Sequence, residues 1–359
     1  MPLFARYFLA IVGIALLITA LTFFIWRPTA NAPTQPKNNT AQVTDAGVLM
    51  SQDGGASWKP LAGSGGLIPL VLAEKKGANH GLYIGTKGQG LWFLKDGASA
   101  LEQVKDPSGV LDPASSVYSI AQTHDGIILY LGVLQKNRGY IIRIDENKAE
   151  AVYQAAIKGY GVLGVIVDQS NSAHINAAVS DGTFIETRDG GSSQYWSIIA
   201  QTRQSLVKFA FNPKNPNTFW AFGNKNAFYS SDTAGQRWTE RLTTQIEKTK
   251  ISTVNNLQYI PTRDALFAAT NYGLIDSVDN GKTWRAFRTP VPPLTLAATA
   301  LAAHPSFEEV FWFAAGNQIY RTDDGGESWR NTVLPTEKKV SVLQINTANP
   351  KILYAGITQ

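Results

Sequence analysis

Seven aspartates, Asp53, Asp96, Asp145, Asp189, Asp232, Asp279 and Asp324, recur along this chain with gaps of 43, 49, 44, 43, 47 and 45 residues. A period this even marks a repeat architecture, in which each copy is one supersecondary unit and neighbouring copies bury a shared core. Five of the aspartates sit inside one recurring phrase. It reads SQDGGASW from Ser51 to Trp58, SVDNGKTW from Ser277 to Trp284 and TDDGGESW from Thr322 to Trp329. Looser copies are TRDGGSSQYW from Thr187 to Trp196 and SSDTAGQRW from Ser230 to Trp238, which carry two and one extra residues. The copies at Asp96 and Asp145 lack the tryptophan.

Between the aspartates a second pattern repeats. In one copy it runs VYSIAQ from Val117, a turn at Thr123 to Gly126, IILYLG from Ile127, YIIRI from Tyr140 and a short run near Ala151 to Gln154. Such runs, rich in β-branched and aromatic residues and broken by Gly, Asn, Asp and Pro, read as strands and turns. Four strands per repeat match one propeller blade. The folded part opens on a third-strand run, GVLMS at Gly47, and ends on a first-strand run from Val340 and a second-strand run from Ile352. The two ends together complete one blade and seal the ring, so the spacing predicts an all-β, seven-bladed propeller.

The first residues add a membrane segment. Tyr7 to Trp26 is twenty residues without a charge; as a helix it spans about 30 Å, the thickness of a bilayer core. Tyr7 and Trp26 mark its ends, where aromatic rings favour the headgroup region. A cleaved signal peptide is the competing reading, with Ala30-Asn31-Ala32 as the small-residue site, but the apolar run is long for one and Pro33 follows the cut. The expected organisation is a short tail (1–6), a transmembrane anchor (7–26), a Pro/Thr/Asn-rich linker without apolar periodicity (27–44) and the propeller (45–359), held outside the cytoplasm at the membrane. Hydrophobic residues make up 44% and charged residues 16%, enough to bury a large core, and the net charge of +5 permits an acidic partner. With no cysteine, disulfides, thiolate zinc sites and thiol nucleophiles are excluded.

The phrase Ser/Thr-x-Asp-x-Gly-x-x-Trp resembles the Asp-box, or bacterial neuraminidase repeat, at the hairpin between the third and fourth strands of a blade. The spacing has a physical reason: Asp accepts backbone amides just ahead of it, Gly takes the positive φ that reverses the chain, and Trp covers the turn. The residues in this structural role are Asp53 and Trp58, Asp189 and Trp196, Asp232 and Trp238, Asp279 and Trp284, and Asp324 and Trp329. Sialidases, sortilin-type receptors and xyloglucan-cleaving glycosidases share the box. The chain looks most like the photosystem II stability and assembly factors, through phrases such as LYIGTKGQGLWF and LIDSVDNGKTW. That resemblance implies a non-catalytic scaffold that helps assemble a membrane complex.

Chemistry is sparse. The four histidines, His80, His124, His174 and His304, fall at turns between first and second strands of different blades, which argues against a shared metal or catalytic site. The sialidase Arg-Ile-Pro opening is missing. A glycosidase needs two carboxylates across a cleft; Asp112, Asp181, Glu247 and Glu337 are the candidates. Trp92, Trp220 and Trp312 are possible sugar platforms but lie within strands, where core packing is the simpler role. No cofactor, metal or nucleic-acid partner is expected.

The loops carry more information. Those joining second to third strands, and those joining blades, open on one face of the ring; the Asp-box hairpins open on the other. The first face receives Lys87, Lys136, Arg138, Lys158, Arg203, Lys225, Lys248, Lys250, Arg288, Lys338 and Lys339. Against them stand Asp106, Asp112, Asp181, Glu247 and Glu337, whereas the box face holds the aspartates with Glu74, Glu146, Glu308, Glu309, Asp323 and Glu327. The expected function is docking of an acidic protein segment or anionic ligand on the basic face near the membrane. The alternative is a carbohydrate-active Asp-box protein, a glycoside hydrolase or lectin.

Overall fold

The computed structural model describes residues 47–77, 80–98, 100–145, 148–192, 195–202, 204–224, 227–241 and 251–358. The expected anchor and linker lie outside these residues, as do Arg203, Lys225, Lys248 and Lys250 of the expected basic face, together with Glu146 and Glu247.

The second strand of each repeat is an almost unbroken apolar run, such as Ala265–Thr270 and Phe311–Ala315, in which every residue is buried. A strand apolar on both sides can lie only between two other layers. That is its place here: seven antiparallel four-stranded sheets each pack against the next. In sequence order blades one to six span 69–103, 116–158, 162–201, 206–241, 254–286 and 298–333. Blade seven joins Lys339–Ile345 and Leu353–Thr358 to Val48–Ser51 and Lys59–Pro60, so both ends of the propeller sequence share one sheet. The first strand of every blade touches that of the next, and blade seven touches blade one, closing the ring.

The seven first strands share one irregularity. Each ladder to the second strand slips by one residue near its start. The extra residues are Leu70, Tyr118, Leu163, Val207, Asn255, Thr299 and Ser341. A bulge increases local twist, which suits strands converging on an axis. Polar ties link first strands across blades: the Val165 amide donates to Ser119 Oγ at 2.9 Å, Asn255 Nδ2 to the Ala298 carbonyl at 2.8 Å, and Ser341 Oγ to the Pro69 carbonyl at 3.3 Å. The last bridges blades seven and one.

The outermost strand of blade two is longer than the sequence suggests. It covers Lys148–Lys158, because two register shifts let it continue past Gln154.

Candidate binding faces of the ring

The third-to-fourth-strand turns are built by reciprocal hydrogen bonding. At Asp53, Ser51 Oγ donates to Oδ1 at 2.8 Å and accepts the Gly55 amide at 2.8 Å; the Ser57 amide and hydroxyl donate to the two carboxylate oxygens at 2.9 and 2.6 Å. Ser277, Asp279 and Thr283 repeat this with distances from 2.6 to 2.8 Å, and Thr322, Asp324 and Ser328 make the same set of bonds. The Ser57 hydroxyl above all holds the Asp53 carboxyl at about 2; burial pushes the other way, and the Ser57 amide, the Ser51 hydroxyl and the Ala56 amide outweigh it. At Asp279 burial pushes upward, yet the Thr283 and Ser277 bonds prevail and the carboxyl is lowered. At Asp324 the Ser328 hydroxyl and amide lower it strongly.

Two copies differ from the sequence reading. At Asp189 the Gly191 amide bonds to the carboxylate itself, at 2.9 Å, and the two extra residues place Trp196 Nε1 on the Val152 carbonyl of blade two, at 2.7 Å. At the Trp238 copy Asp232 is not the box residue, and nothing is inserted. Ser231 Oγ accepts the Gly235 amide at 3.0 Å, and Thr233 Oγ1 accepts the Arg237 amide at 2.9 Å, the bonds that Ser51 and Asp53 make in blade seven. Thr233 replaces the aspartate because a hydroxyl oxygen can accept the same amide.

The tryptophans pack within and between blades. Trp58 and Trp284 are 7% exposed; Trp284 meets Phe228 of blade four edge-on, and Trp238 stacks on Phe184 of blade three at 4.0 Å. Trp329 lies edge-on to Phe311 and Phe313. Leu101 sits five residues after Asp96, where the phrase would have its tryptophan, and is buried there. Trp220 and Trp312 are fully buried, so they are not sugar platforms; each instead ties its blade to the next turn. Trp220 Nε1 donates to the Asn280 carbonyl at 3.1 Å, Trp312 Nε1 to Gly54 at 3.0 Å and Tyr130 Oη to Gly190 at 3.0 Å. Trp92 is half-buried and bonds to the Gln89 carbonyl at 2.8 Å.

On the box face the first-to-second-strand turns surround a cavity of about 700 Å³ reached by blades one, two, three, four and seven. Ile120, Val165, Leu72 and Phe211 supply apolar lining; Gln122, Gln169, Gln344 and Asn346 supply amides. His80 and His124 both line it, so these two histidines are not separated as expected. His174 instead contacts Glu186 at 3.1 Å and Asp168 at 3.7 Å, and His304 Nδ1 accepts the Ser306 and Phe307 amides. Burial, then the charge of Arg321, lower the His304 pKa.

Glu74 and Asp96, absent from the expected carboxylate candidates, also line this cavity. Both Glu74 oxygens accept bonds from Thr347 of blade seven, each at 2.7 Å. Burial raises the Glu74 pKa despite those bonds, with the Asp96 charge adding to the rise. Burial, with the charges of Asp96 and Glu74, pushes Tyr354 up to about 12. Of the expected carboxylates, Asp112 and Asp181 accept amides of their own turns from Ala114 and Thr183, at 2.8 and 2.9 Å, in different blades. Glu337 lies in the loop to blade seven and Glu247 outside the described residues.

On the opposite face, Lys87, Lys136, Lys158, Arg288 and Lys339 are exposed, and their side chains have no hydrogen bond or ion pair among the described residues. Arg138 is used internally, bonding the Ala155 and Ala156 carbonyls at 2.9 and 2.8 Å. Lys338 is half-buried and partnered. The Asp106 carboxylate here is turned onto Ser108, Val110 and Leu111 of its own loop. The box face is less uniformly acidic than expected, since Lys75, Lys76, Lys214, Arg263 and Lys351 share its turns.

Among the described residues no group of three or more His, Cys, Asp or Glu could hold a metal ion, and no helix is long and apolar enough to cross a membrane. No protein-family model matches the sequence, and no curated protein matches it either. Solved structures do match the fold. YCF48 bound to D1 peptide aligns with a TM-score of 0.62 at 15% identity, over 82% of this chain and 95% of that one. YCF48 from Cyanidioschyzon merolae gives 0.62 at 14% identity, over 80% and 96%. The GH74 xyloglucanase from Xanthomonas campestris gives 0.64 at 14% identity, over 84% of this chain but only 52% of the enzyme. At such identities the likeness is one of fold: a seven-bladed propeller built like both a peptide-bound protein and half of a glycosidase.

Proposed function

We propose that this chain is a non-catalytic docking module, tethered at a membrane by the Tyr7 to Trp26 segment, which takes an acidic segment of a protein partner across its basic loop face. The observation that carries the reading is the imbalance of available charge. Lys87, Lys136, Lys158, Arg288 and Lys339 are exposed and without side-chain partners among the described residues, while Asp106, Asp112 and Asp181 are turned onto backbone amides of their own loops. Unpaired cations around one mouth of a ring raise the local concentration of an acidic partner and speed encounter. A propeller of the same fold, YCF48, has been seen with a peptide bound, which supports peptide docking as something this architecture can do.

The test is affinity capture with the tagged full chain, beside a variant carrying Lys87→Glu, Lys136→Glu and Lys158→Glu. These side chains are exposed, so the ring should fold unchanged. The reading expects a partner retained by the first, lost by the second, and released as salt rises toward 0.5 M. Capture of the same partner by both would refute it.

A second reading has its own observation, the cavity on the box face with Glu74 and Asp96 in its wall. Carboxylates, amides and Phe211 in one concave site suit a glycan. Binding on a glycan array that Glu74→Gln or Phe211→Ala abolishes would favour it; hydrolysis lost with Glu74→Gln would make it an enzyme.

A further inference from the structure

The loop from blade five to blade six is built differently from its neighbours. Blade five ends in a two-residue outer strand, Arg285–Ala286, and the chain then crosses as FRTPVPPLTLA, from Phe287 to Ala297, without an acidic residue. Pro290, Pro292 and Pro293 fix their own φ angles and stiffen the crossing. Hydrogen bonds pin the rest: the Leu294 amide donates to the Tyr272 carbonyl at 3.1 Å, Thr295 Oγ1 to Pro292 at 2.6 Å and Thr289 Oγ1 to Val291 at 3.0 Å.

This pinning has an unfavourable side. Leu294 is held at φ 63°, a left-handed conformation that a side chain with a Cβ rarely adopts. Leu294 is 49% exposed and Leu296 37% exposed. Strained backbone of this kind clusters at binding and switch sites, and here it lies beside two apolar side chains left in water.

Next to these leucines lies a cavity of about 250 Å³, between the second-to-third-strand turn of blade five and the crossing loop. Tyr272, Leu274, Phe287, Val291 and Pro293 line it, and Arg288 stands in its wall. Phe287 and Val291 are partly buried and pack against the apolar core of blades five and six, which supports this part of the lining. The volume falls below the range of whole small-molecule sites and suits a single large side chain. Arg288 is exposed and unpaired among the described residues, and its planar fork can meet a carboxylate with two parallel bonds.

We infer that this pocket anchors the docked partner by taking an extended protein segment in which an apolar or aromatic side chain stands next to an acidic one. The ring seats in the cavity against Tyr272 and Phe287, the carboxylate lies on Arg288, and Leu294 and Leu296 cover the flanking chain. The inference rests on the proposed docking of an acidic segment to this face and adds the anchor and its chemistry. The prolines matter because a loop already fixed in its bound form loses little freedom on binding.

The test uses fluorescein-labelled twelve-residue peptides on a Gly/Ser/Asp background, differing only in a central Asp-Phe, Asp-Ser or Lys-Phe pair. Fluorescence anisotropy measures their binding to the full chain in detergent. Asp-Phe should bind at least about tenfold more tightly than either control, about the effect of losing 1.4 kcal/mol. Arg288→Glu and Leu294→Ser, both at exposed positions, should remove that preference. If all acidic peptides bind equally and respond to Lys136→Glu but not to Arg288→Glu, the pocket is not the anchor while the docking face stands. If no acidic peptide binds, the docking reading fails and the anchor with it.

Discussion

The Arg285→Ala substitution offers a sharp test of how the blades are held together. Asp276 and Arg285 are direct cross-strand partners in blade five, but their surroundings differ greatly: the Asp276 side chain is 2% exposed and that of Arg285 66%. The guanidinium grips the carboxylate through Nε at 2.9 and 3.1 Å and Nη2 at 2.8 Å. Its absence leaves a charge facing the sheet interior with no compensation. Breaking a buried pair by removing one partner costs roughly 3–5 kcal/mol, whereas an exposed pair is worth about 0–1 kcal/mol. Water can reach the gap left by so exposed an arginine, so the expectation is the low end, about 3 kcal/mol. At about 2 °C per kcal/mol for a domain of this size, melting should fall by about 6 °C. Urea denaturation and thermal melts of the full chain would measure it. Asp276→Val combined with Arg285→Ala should recover most of the loss, because valine suits a strand and leaves no charge behind. A single-variant effect below about 0.5 kcal/mol would refute the reasoning and make the pair an ordinary surface contact.

Gly281→Ala should destabilise by about 2 kcal/mol or more, since Gly281 has φ +81° and an added Cβ would lie 2.2 Å from the Phe228 ring; near wild-type melting would contradict that packing. The Asp53 carboxyl, lowered to about 2 from an unfolded value near 4, contributes stability that is complete above about pH 4 and lost as pH falls through 2. The melting difference between wild type and Asp53→Ala should therefore shrink from pH 5 to pH 2, and a constant difference would show that the ionised carboxylate is not responsible. Asp323 bonds both Arg321 and Arg330, which face each other across strands. Asp323→Asn should cost about 1 kcal/mol at low salt, shrinking as salt screens the arginine pair; a salt-independent loss would point to packing instead.

The repeat was legible in the sequence because every blade meets the same requirement, a buried second strand and a tight outer turn. Three full phrases, with complementary runs at Gly47 and Ile352, were enough to anticipate seven blades closed by both ends. The Trp238 turn was read one residue out of register because the pattern followed the carboxylate, whereas the fold requires only an acceptor oxygen, which Thr233 provides. The Glu74 and Asp96 cavity escaped notice for another reason: those residues are 22 positions apart, come together only when the first three strands of blade one pair, and wall a cavity that exists only where five blades converge. The anchor pocket had one visible signal, the proline-rich crossing after Arg288. Nothing in the sequence marked the left-handed Leu294.

Which mouth of the ring meets the partner can be measured directly. A photo-crosslinking amino acid would be placed at Lys136, Arg288 or Leu296 on the basic face, and at Gln169 or Ala348 beside the opposite cavity, in the full chain expressed in its native cells. The account predicts protein adducts from the first three positions, mapping to an acidic stretch of the partner, and none from the last two. Adducts confined to Gln169 and Ala348 would contradict it and move binding to the box face.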